Sequence, residues 1–156
     1  MNEQWTEPVS SLKCMTKMGP VGSLNGYVGV GKGHPLFGTD YYSCIVCTKK
    51  HCYKPSHKSP ESIFDVHGGL TYSGFWNGFD TWWFGFDTAH AGDFVPDLAM
   101  FGMGGGQVRD LSYVEQNCEH LARQLHEYDT WRTRLWRVLE YPTRFRIRFT
   151  WKRKVA

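Results

Sequence analysis

TWWFGFD, residues 81–87, is the stretch of sequence that most directly indicates the fold. Its side chains are apolar on both faces of a two-residue period, which is typical of a strand in the middle of a sheet. The strand signal ends at Asp87, and the loop that follows carries His90 and Asp93. Ionisable groups beside so much aromatic surface must be exposed, paired, or in contact with something that the protein binds. The sequence therefore predicts a central strand with a polar cluster at its end.

Two further segments show strand signals. One strand is expected to begin at Gly26, in GYVGV. Residues 63–74, IFDVHGGLTYSG, predict two short strands that meet at Gly68 and Gly69, because β-branched and aromatic residues stand on both sides of the glycine pair.

The clearest helix signal covers about residues 112–128. Ser112 and Glu115 have the S-x-x-E spacing of a capping box. The apolar positions that follow the 3.6-residue period are Val114, Cys118, Leu121, Ala122, Leu125 and Tyr128. We therefore predict an α+β fold, with a small central β-sheet packed by this one main amphipathic helix and with long loops.

A chain of 156 residues is the size of one domain, so we predict a single domain over residues 1–156. Residues 1–25 are polar and lack periodicity, and are expected to form a loose N-terminal arm. Residues 44–60 are expected to form a Cys- and His-rich loop, and residues 129–156 a basic, aromatic C-terminal segment.

The N-terminal residues and the apolar content bear on location. MNEQWTEPVSSLKC has no basic start followed by an apolar run, unlike a secretory signal. No run of about eighteen apolar residues occurs, so neither a membrane-spanning helix nor a membrane partner is expected. The 5 cysteines are odd in number, which argues against a disulfide framework. We expect a soluble intracellular protein whose cysteines are reduced thiols or metal ligands.

The net charge of +3 is unevenly distributed, because the basic residues concentrate after residue 128. Arg144, Arg146 and Arg148 alternate there with apolar residues, which is the pattern of a half-buried strand. Such a basic segment could contact the phosphates of a nucleic acid, or it could be a solvated surface strand.

GYVGVGKG, residues 26–33, matches the spacing G-x-x-x-x-G-K of a P-loop only superficially. Gly33 stands where a Ser or Thr must bind magnesium, and Pro35 follows where a helix must begin. We therefore exclude a P-loop, but keep His34 as a residue that could face a ligand.

The cysteine-rich loop has the spacing of metal ligands. The predicted ligands of a structural zinc ion are Cys44, Cys47, Cys52 and His57. Metal binding would explain how so polar a loop becomes ordered. The alternative is a disordered loop with free thiols.

A second constellation flanks the central strand. Asp65, His67, Asp87, His90 and Asp93 lie at or near the predicted strand ends and could converge at one edge of the sheet. Gly68 and Gly69 would offer amide donors to an anion. Arg109 precedes the predicted helix and could bind a phosphate group. The candidate ligand-binding residues are His67, Gly68, Gly69, Thr71, Tyr72, Asp87, His90, Asp93, Arg109 and His34.

Three interpretations of this cluster remain open. The acids and histidines could hold a metal ion that activates water, as in a hydrolase. They could bind a nucleotide-like ligand without chemistry, with Tyr72 or Trp82 stacked on a base. They could also cap turns and pair with one another inside an ordinary core.

The chain resembles a family of small, functionally uncharacterised proteins encoded by tailed bacteriophages and prophages. The resemblance covers roughly residues 26–127 and rests on GYVGVGKGHPLFGTDYY, SPESIFDVHGGLTYSG, WWFGFDTAHAGD and YVEQNCEHLARQL. It implies a phage accessory protein of the bacterial host cytoplasm. Small phage proteins of this kind often counter host defence, in some cases by sequestering cyclic-nucleotide signals.

The hypothesis that we favour from the sequence is a phage accessory protein that binds a small nucleotide-like or phosphate-bearing ligand without chemistry, as in anti-defence sequestration of a host immune signal. The alternative is a metal-dependent hydrolase that uses His67, Asp87, His90 and Asp93. A third hypothesis is a nucleic-acid or host-protein binder that acts through the basic C-terminal segment.

Overall fold

The computed structural model describes residues 2–46, 58–76, 78–103 and 105–140, without the side chains of residues 2 and 132–140. Its elements in chain order are the strands β1 (Asn2–Thr6), β2 (Lys13–Met18) and β3 (Leu24–Gly31), the short helix α1 (Pro60–Ile63), the strands β4 (Tyr72–Phe75) and β5 (Thr81–Phe86), the short helix α2 (Pro96–Ala99) and the long helix α3 (Leu111–Glu140). The strands form one antiparallel sheet in the order β1-β2-β3-β5-β4. The predicted α+β fold is confirmed.

Strand β5 lies between β3 and β4, as its two-sided apolar sequence predicts. Side chains alternate between the faces of the sheet along a strand. Trp82, Phe84 and Phe86 belong to the core beneath α3, whereas Trp83 lies on the opposite face. The end of β5 therefore leaves the core at residue 87, where the polar cluster begins.

Helix α3 packs against β2 and β3. The helix face predicted from the 3.6-residue period is the buried face: Val114, Cys118, Leu121, Ala122 and Leu125 have no exposed surface, and Tyr128 is partly buried. Each large aliphatic side chain buried in this way stabilises the fold by about 1.5–3 kcal/mol. This face holds the helix on the sheet.

The start of α3 differs from the prediction. Asp110 caps the helix, since its carboxylate accepts a hydrogen bond from the backbone N–H of Tyr113 at 2.8 Å. Ser112 lies inside the first turn, where its hydroxyl accepts a bond from Gln116. The capping box predicted at Ser112 is wrong because aspartate caps as well as serine and also places a negative charge at the positive end of the helix dipole.

The loose arm predicted for residues 1–25 is wrong, because residues 2–25 contain β1, β2 and the start of β3, which begins at Leu24 rather than at Gly26. The inward-facing side chains of β2 are Cys14 and Thr16, both fully buried. Because these side chains are small and one is polar, the alternation shows no strong hydrophobic signal in the sequence.

The pair of strands predicted for residues 63–74 is only half correct. β4 provides the second strand, but α1 and an irregular segment replace the first. The backbone N–H groups of Asp65 and His67 bond to side chains of α3 instead of to a strand. Residues 65–67 therefore run along the helix.

Several predictions lie outside the described residues. Cys47, Cys52 and His57 of the zinc prediction lie there, and so do Arg144, Arg146 and Arg148 of the C-terminal segment. The described part of the C-terminal segment, residues 129–140, continues α3. No helix in the described ranges is both long and apolar enough to cross a membrane.

Replacement of Gly26 by alanine is expected to destabilise the fold by about 1–3 kcal/mol. A methyl group there would lie 2.6 Å from Cys118 Sγ and against the ring of Phe86, both of which are buried. Gly31, at the end of the same strand, has nothing within 4 Å of the corresponding position. Denaturant unfolding should therefore show a loss for Gly26→Ala that the matched control Gly31→Ala lacks; equal losses would contradict the packing.

Candidate functional site

Asp93 is the centre of the polar cluster, and its side chain is only 2% exposed. Its Oδ1 accepts a hydrogen bond from Arg109 Nε at 2.7 Å. Its Oδ2 lies 2.7 Å from His67 Nε2 and accepts the backbone N–H of His90 at 3.1 Å. A single buried carboxylate thus joins three segments of the chain.

A small backbone bridge brings Arg109 to this carboxylate. Asp93 and Gln107 form a parallel β-bridge, in which Phe94 N–H donates to Gln107 O at 2.9 Å and Gln107 N–H donates to Gly92 O at 2.8 Å. Since Arg109 follows two residues after Gln107, the bridge places its guanidinium beside Asp93. The loop before α3 and the loop after β5 are therefore fastened together.

His67 is held by the first turns of α3. Its Nδ1 lies 2.9 Å from the hydroxyl of Tyr113, and its backbone N–H donates to Asn117 Oδ1 at 3.1 Å. Asn117 in turn donates to the carbonyl of Tyr113 at 2.9 Å. Both ring nitrogens of His67 therefore have partners, which fixes the orientation of the ring.

His90 lies beside His67, with the ring centroids 5.4 Å apart. Its Nδ1 is sealed from solvent and makes no hydrogen bond. That nitrogen lies 3.5 Å from Asp87 Oδ1 and 3.8 Å from Asp93 Oδ2. A buried nitrogen without a hydrogen bond is rare in folded proteins. Here it faces two carboxylates.

Gly68 forms the surface beneath the ring of His90. Its φ of +66° lies in the left-handed region that side chains rarely adopt. A Cβ at this position would overlap the ring atoms of His90. Gly69 is also left-handed, with φ of +86°, and its N–H donates to Val66 O. Of the predicted glycine pair, Gly68 contacts the cluster and provides space for the imidazole, and the role of the pair as amide donors to an anion stays a prediction.

The charges of the cluster are balanced around Asp93. Burial raises the pKa of this carboxyl, but the hydrogen bonds from Arg109, from His67 and from the backbone of His90 outweigh burial and hold the pKa below its ordinary value. The same bond to Asp93 raises the pKa of Arg109. Asp93 is therefore ionised at neutral pH and paired with a permanent cation.

Three side chains of the cluster are close enough to hold a metal ion. His67, His90 and Asp93 each offer one ligand atom, and these atoms lie within 4.8 Å of one another. Arg109 occupies Asp93 Oδ1, and Tyr113 contacts His67 Nδ1. Asp93 Oδ2 and His67 Nε2 remain as the ligand atoms, and a bound ion would take the place of the 2.7 Å contact between them. Outer hydrogen bonds of this kind commonly orient metal ligands.

Two of the predicted ligand-binding residues do not join the cluster. Thr71 is exposed, and its backbone N–H extends the sheet by donating to Gly85 O at 2.9 Å. Tyr72 packs edge-on against Tyr27, with the centroids 5.5 Å apart, and lies near Trp76. Because Tyr72 is paired directly with Gly85 in the sheet, its side chain lies on the face opposite α3.

His34 is also outside the cluster. Its Nε2 lies 3.0 Å from the carbonyl oxygen of Leu125, and its Nδ1 accepts the backbone N–H of Leu36 at 3.1 Å. Burial lowers the pKa of His34, and the bond to Leu125 only partly offsets this. Leu125 is about 18 Å along α3 from Tyr113, at 1.5 Å per residue. His34 therefore anchors a loop to the helix and does not serve the site.

Sequence reasoning missed Tyr113 and Asn117. Both lie on the polar border of α3, one turn apart, and both reach the segment that carries His67. Neither residue belongs to the apolar period from which the helix is predicted. The signal that could have found them is the i, i+4 spacing of an aromatic hydroxyl and an amide beside the buried stripe.

Comparison of the chain with protein-family models, with curated proteins and with solved structures finds no match. The bacteriophage origin and the accessory role implied by the resemblance stay predictions.

Proposed function

We propose that His67, His90 and Asp93 bind one divalent metal ion and that the protein is a metal-dependent hydrolase acting on a phosphate-bearing small molecule. The observation that carries this proposal is the buried Nδ1 of His90, which has no hydrogen bond and lies close to the carboxylate of Asp93. An ion shared by the three residues would supply the missing partner.

The ligand types fit a catalytic metal centre. Two imidazoles and a carboxylate are a common set for zinc and related ions, and three protein ligands leave a coordination position for water. An ion bound in this way would lower the pKa of that water to about 7 and so supply hydroxide at neutral pH. Asp87 is partly exposed beside His90, where it could accept a proton.

The charge of the cluster favours an anionic substrate. The two negative charges of Asp87 and Asp93 would be outnumbered by the three positive charges of Arg109 and a divalent ion. A cavity of about 230 Å³ opens beside Arg109. It is lined mostly by apolar and small residues: Met18, Gly22, Ser23, Leu24, Thr88, Phe94, Pro96, Val108, Arg109 and Asp110. The cavity is smaller than most small-molecule sites, which run from about 300 to 1,000 Å³, so it offers space for a small organic group beside Arg109.

A second candidate function is binding of the same ligand class without chemistry, as in sequestration of a nucleotide signal. The observation in its favour is that the carboxylate of Asp93 already contacts Arg109, His67 and the backbone of His90. The hydrogen bonds of this carboxylate are complete without an ion, and they could hold the loops as a rigid binding surface.

The metal is tested by elemental analysis of protein that has been stripped with a chelator and dialysed against zinc or manganese. We expect His90→Ala to retain one equivalent less than the wild type. His120→Ala is the matched control, because His120 is an exposed histidine of α3 outside the cluster. Cys47→Ser distinguishes an ion bound by the cysteine-rich loop from an ion bound by the cluster, because only the former would be lost in this variant. Equal metal content in His90→Ala and the wild type would rule out the centre.

The reaction is tested with a panel of nucleotides, followed by heat denaturation and analysis of the released small molecules. A hydrolase returns product with wild-type protein and loses the activity in His90→Ala, whereas His120→Ala keeps it. Bound nucleotide that is released intact, in both the presence and absence of metal, would exclude the hydrolase and support sequestration.

A further inference from the structure

Three side chains form a continuous line of hydrogen bonds from helix α3 to the buried carboxylate. The hydroxyl of Tyr113 lies 2.9 Å from His67 Nδ1, and His67 Nε2 lies 2.7 Å from Asp93 Oδ2. The side chains of His67 and Asp93 are only 11% and 2% exposed. Because each ring nitrogen of His67 is engaged by a different partner, a change at one nitrogen must be matched by a change at the other.

The charge of Asp93 determines which nitrogen of His67 carries the proton. Asp93 is ionised, and its other oxygen lies 2.7 Å from Arg109 Nε. An ionised carboxylate accepts hydrogen bonds and cannot donate them. The hydrogen of the contact between His67 and Asp93 therefore belongs to Nε2. In a neutral imidazole Nδ1 is then an acceptor, so the hydroxyl of Tyr113 donates to it.

This proton lies on the nitrogen that the proposed metal centre needs. A histidine binds a metal ion through a ring nitrogen that carries no proton. Since Tyr113 contacts Nδ1, the ligand atom of His67 is Nε2, which must lose its hydrogen first. A neutral imidazole keeps one proton, so the Nε2–H bond breaks and an Nδ1–H bond forms, with water exchanging the proton. The arrangement without an ion is therefore closed to metal.

The hydroxyl of Tyr113 suits both arrangements. A phenol hydroxyl is both a donor and an acceptor, and its hydrogen rotates to suit the partner. The ring that carries the hydroxyl is held in place, because Arg109 Cζ lies 4.7 Å from its centre. The backbone N–H of Tyr113 also donates to Asp110 Oδ1 at 2.8 Å. The oxygen therefore keeps its position while its hydrogen changes direction.

We propose that Tyr113 and His67 form a tautomer switch that controls metal loading of the cluster, an inference that rests on the function proposed above. In the metal-free form, Nε2–H of His67 bonds to Asp93, and Tyr113 donates to Nδ1. In the metal-bound form, Nε2 is a ligand and Nδ1–H donates to the hydroxyl of Tyr113. Tyr113 is a positioning residue, because it acts on the ion only through His67.

The two tautomers are distinguished by ¹⁵N NMR of the imidazole rings in the full chain, before and after addition of one equivalent of zinc. The chain has 7 histidines, and the ring of His67 is assigned by the loss of its signals in His67→Gln. At neutral pH we expect the Nε2–H tautomer without zinc and the Nδ1–H tautomer with zinc. A doubly protonated ring, or the Nδ1–H tautomer, in the metal-free protein would overturn the proposal.

Failure of the switch is distinguishable from failure of the metal centre. Zinc that is retained by the wild type and lost in His90→Ala, while His67 keeps its Nε2–H, would refute the switch and leave the metal centre standing. If the wild type retains no zinc at the cluster, the proposed function is refuted and the switch with it.

Removal of the hydroxyl tests the role of Tyr113. Tyr113→Phe should weaken zinc binding about 10–100-fold, the usual effect of losing the outer hydrogen-bond partner of a metal ligand. The Nδ1–H proton signal of His67 should move upfield, because this hydrogen loses its acceptor; a general loosening of the fold would not produce that shift. The affinity is measured by competition with a chelator.

Tyr128→Phe is the matched control. Tyr128 lies on the same helix, about 22 Å from Tyr113 at 1.5 Å per residue. This variant should bind zinc as the wild type does and leave the signals of His67 unchanged. Equal zinc affinity in Tyr113→Phe and Tyr128→Phe would overturn the role of the Tyr113 hydroxyl.

Discussion

Replacement of Asp93 by asparagine is expected to lower the free energy of unfolding by about 3–5 kcal/mol, which is the usual cost of removing one partner from a buried ion pair. The carboxylate is almost fully buried and joins Arg109, His67 and the backbone of His90. An amide cannot balance the guanidinium charge. Denaturant unfolding at neutral pH measures the loss.

Asp87→Asn is the matched control, because Asp87 belongs to the same cluster but is 29% exposed and bonds only locally, to the backbone of Ala89. Asp87→Asn should lower the free energy of unfolding by less than about 1 kcal/mol. The pH dependence gives a second check. The pKa of Asp93 is lowered in the folded state, so its contribution is present above the unfolded pKa and is lost as pH falls through the folded pKa, below 3.8. Asp93→Asn should lack this acid-dependent step; if the step persists, Asp93 is not its source.

Gly68→Ala is expected to displace the ring of His90 and to destabilise the fold by about 2–5 kcal/mol, the sum of left-handed backbone strain and of overpacking. The new methyl group would overlap the His90 ring, and φ at this position is +66°. Under the proposed function the same substitution abolishes metal retention, because the ring carries one of the ligands. Thermal unfolding and elemental analysis measure the two effects.

Gly69→Ala separates these two causes. Gly69 has a comparable φ of +86°, but nothing lies within 4 Å of a Cβ built there. It should therefore show the backbone strain, about 1–2 kcal/mol, without displacement of His90 and without loss of metal. If Gly68→Ala and Gly69→Ala behave alike, the contact between Gly68 and His90 has no role in the site.

The parts of the fold that the sequence predicts are those with a strong apolar period. The central position of β5 and the buried face of α3 were both predicted, because large hydrophobic side chains recur there at fixed spacing. β2 was missed because it turns Cys14 and Thr16 inward. The first predicted strand around residue 65 was wrong because side-chain amides of α3 replace a neighbouring strand as hydrogen-bond partners. Such pairings depend on tertiary contacts and leave no periodic signal.

The candidate site was also predicted only in part, because some of its contacts depend on tertiary pairings that leave no periodic signal. His67, Gly68, His90 and Asp93 were grouped correctly, since they flank the central strand and the glycine pair. The burial of Asp93 and its pairing with Arg109 follow from the bridge to Gln107, which local sequence does not reveal. His34 and Tyr72 were also predicted as ligand-binding residues, because they lie in turns or strands near the cluster in the sequence. Their side chains lie elsewhere on the molecule.

The bridge between Asp93 and Gln107 also bears on how this region can vary. Because the chain is pinned at both ends of the segment that carries α2, changes in the length of that segment need not alter the spacing of Asp93 and Arg109. Its outermost side chains include Met100, Phe101 and Met103, all well exposed. Related chains could therefore carry a longer, shorter or different segment here and still keep the ion pair between Asp93 and Arg109.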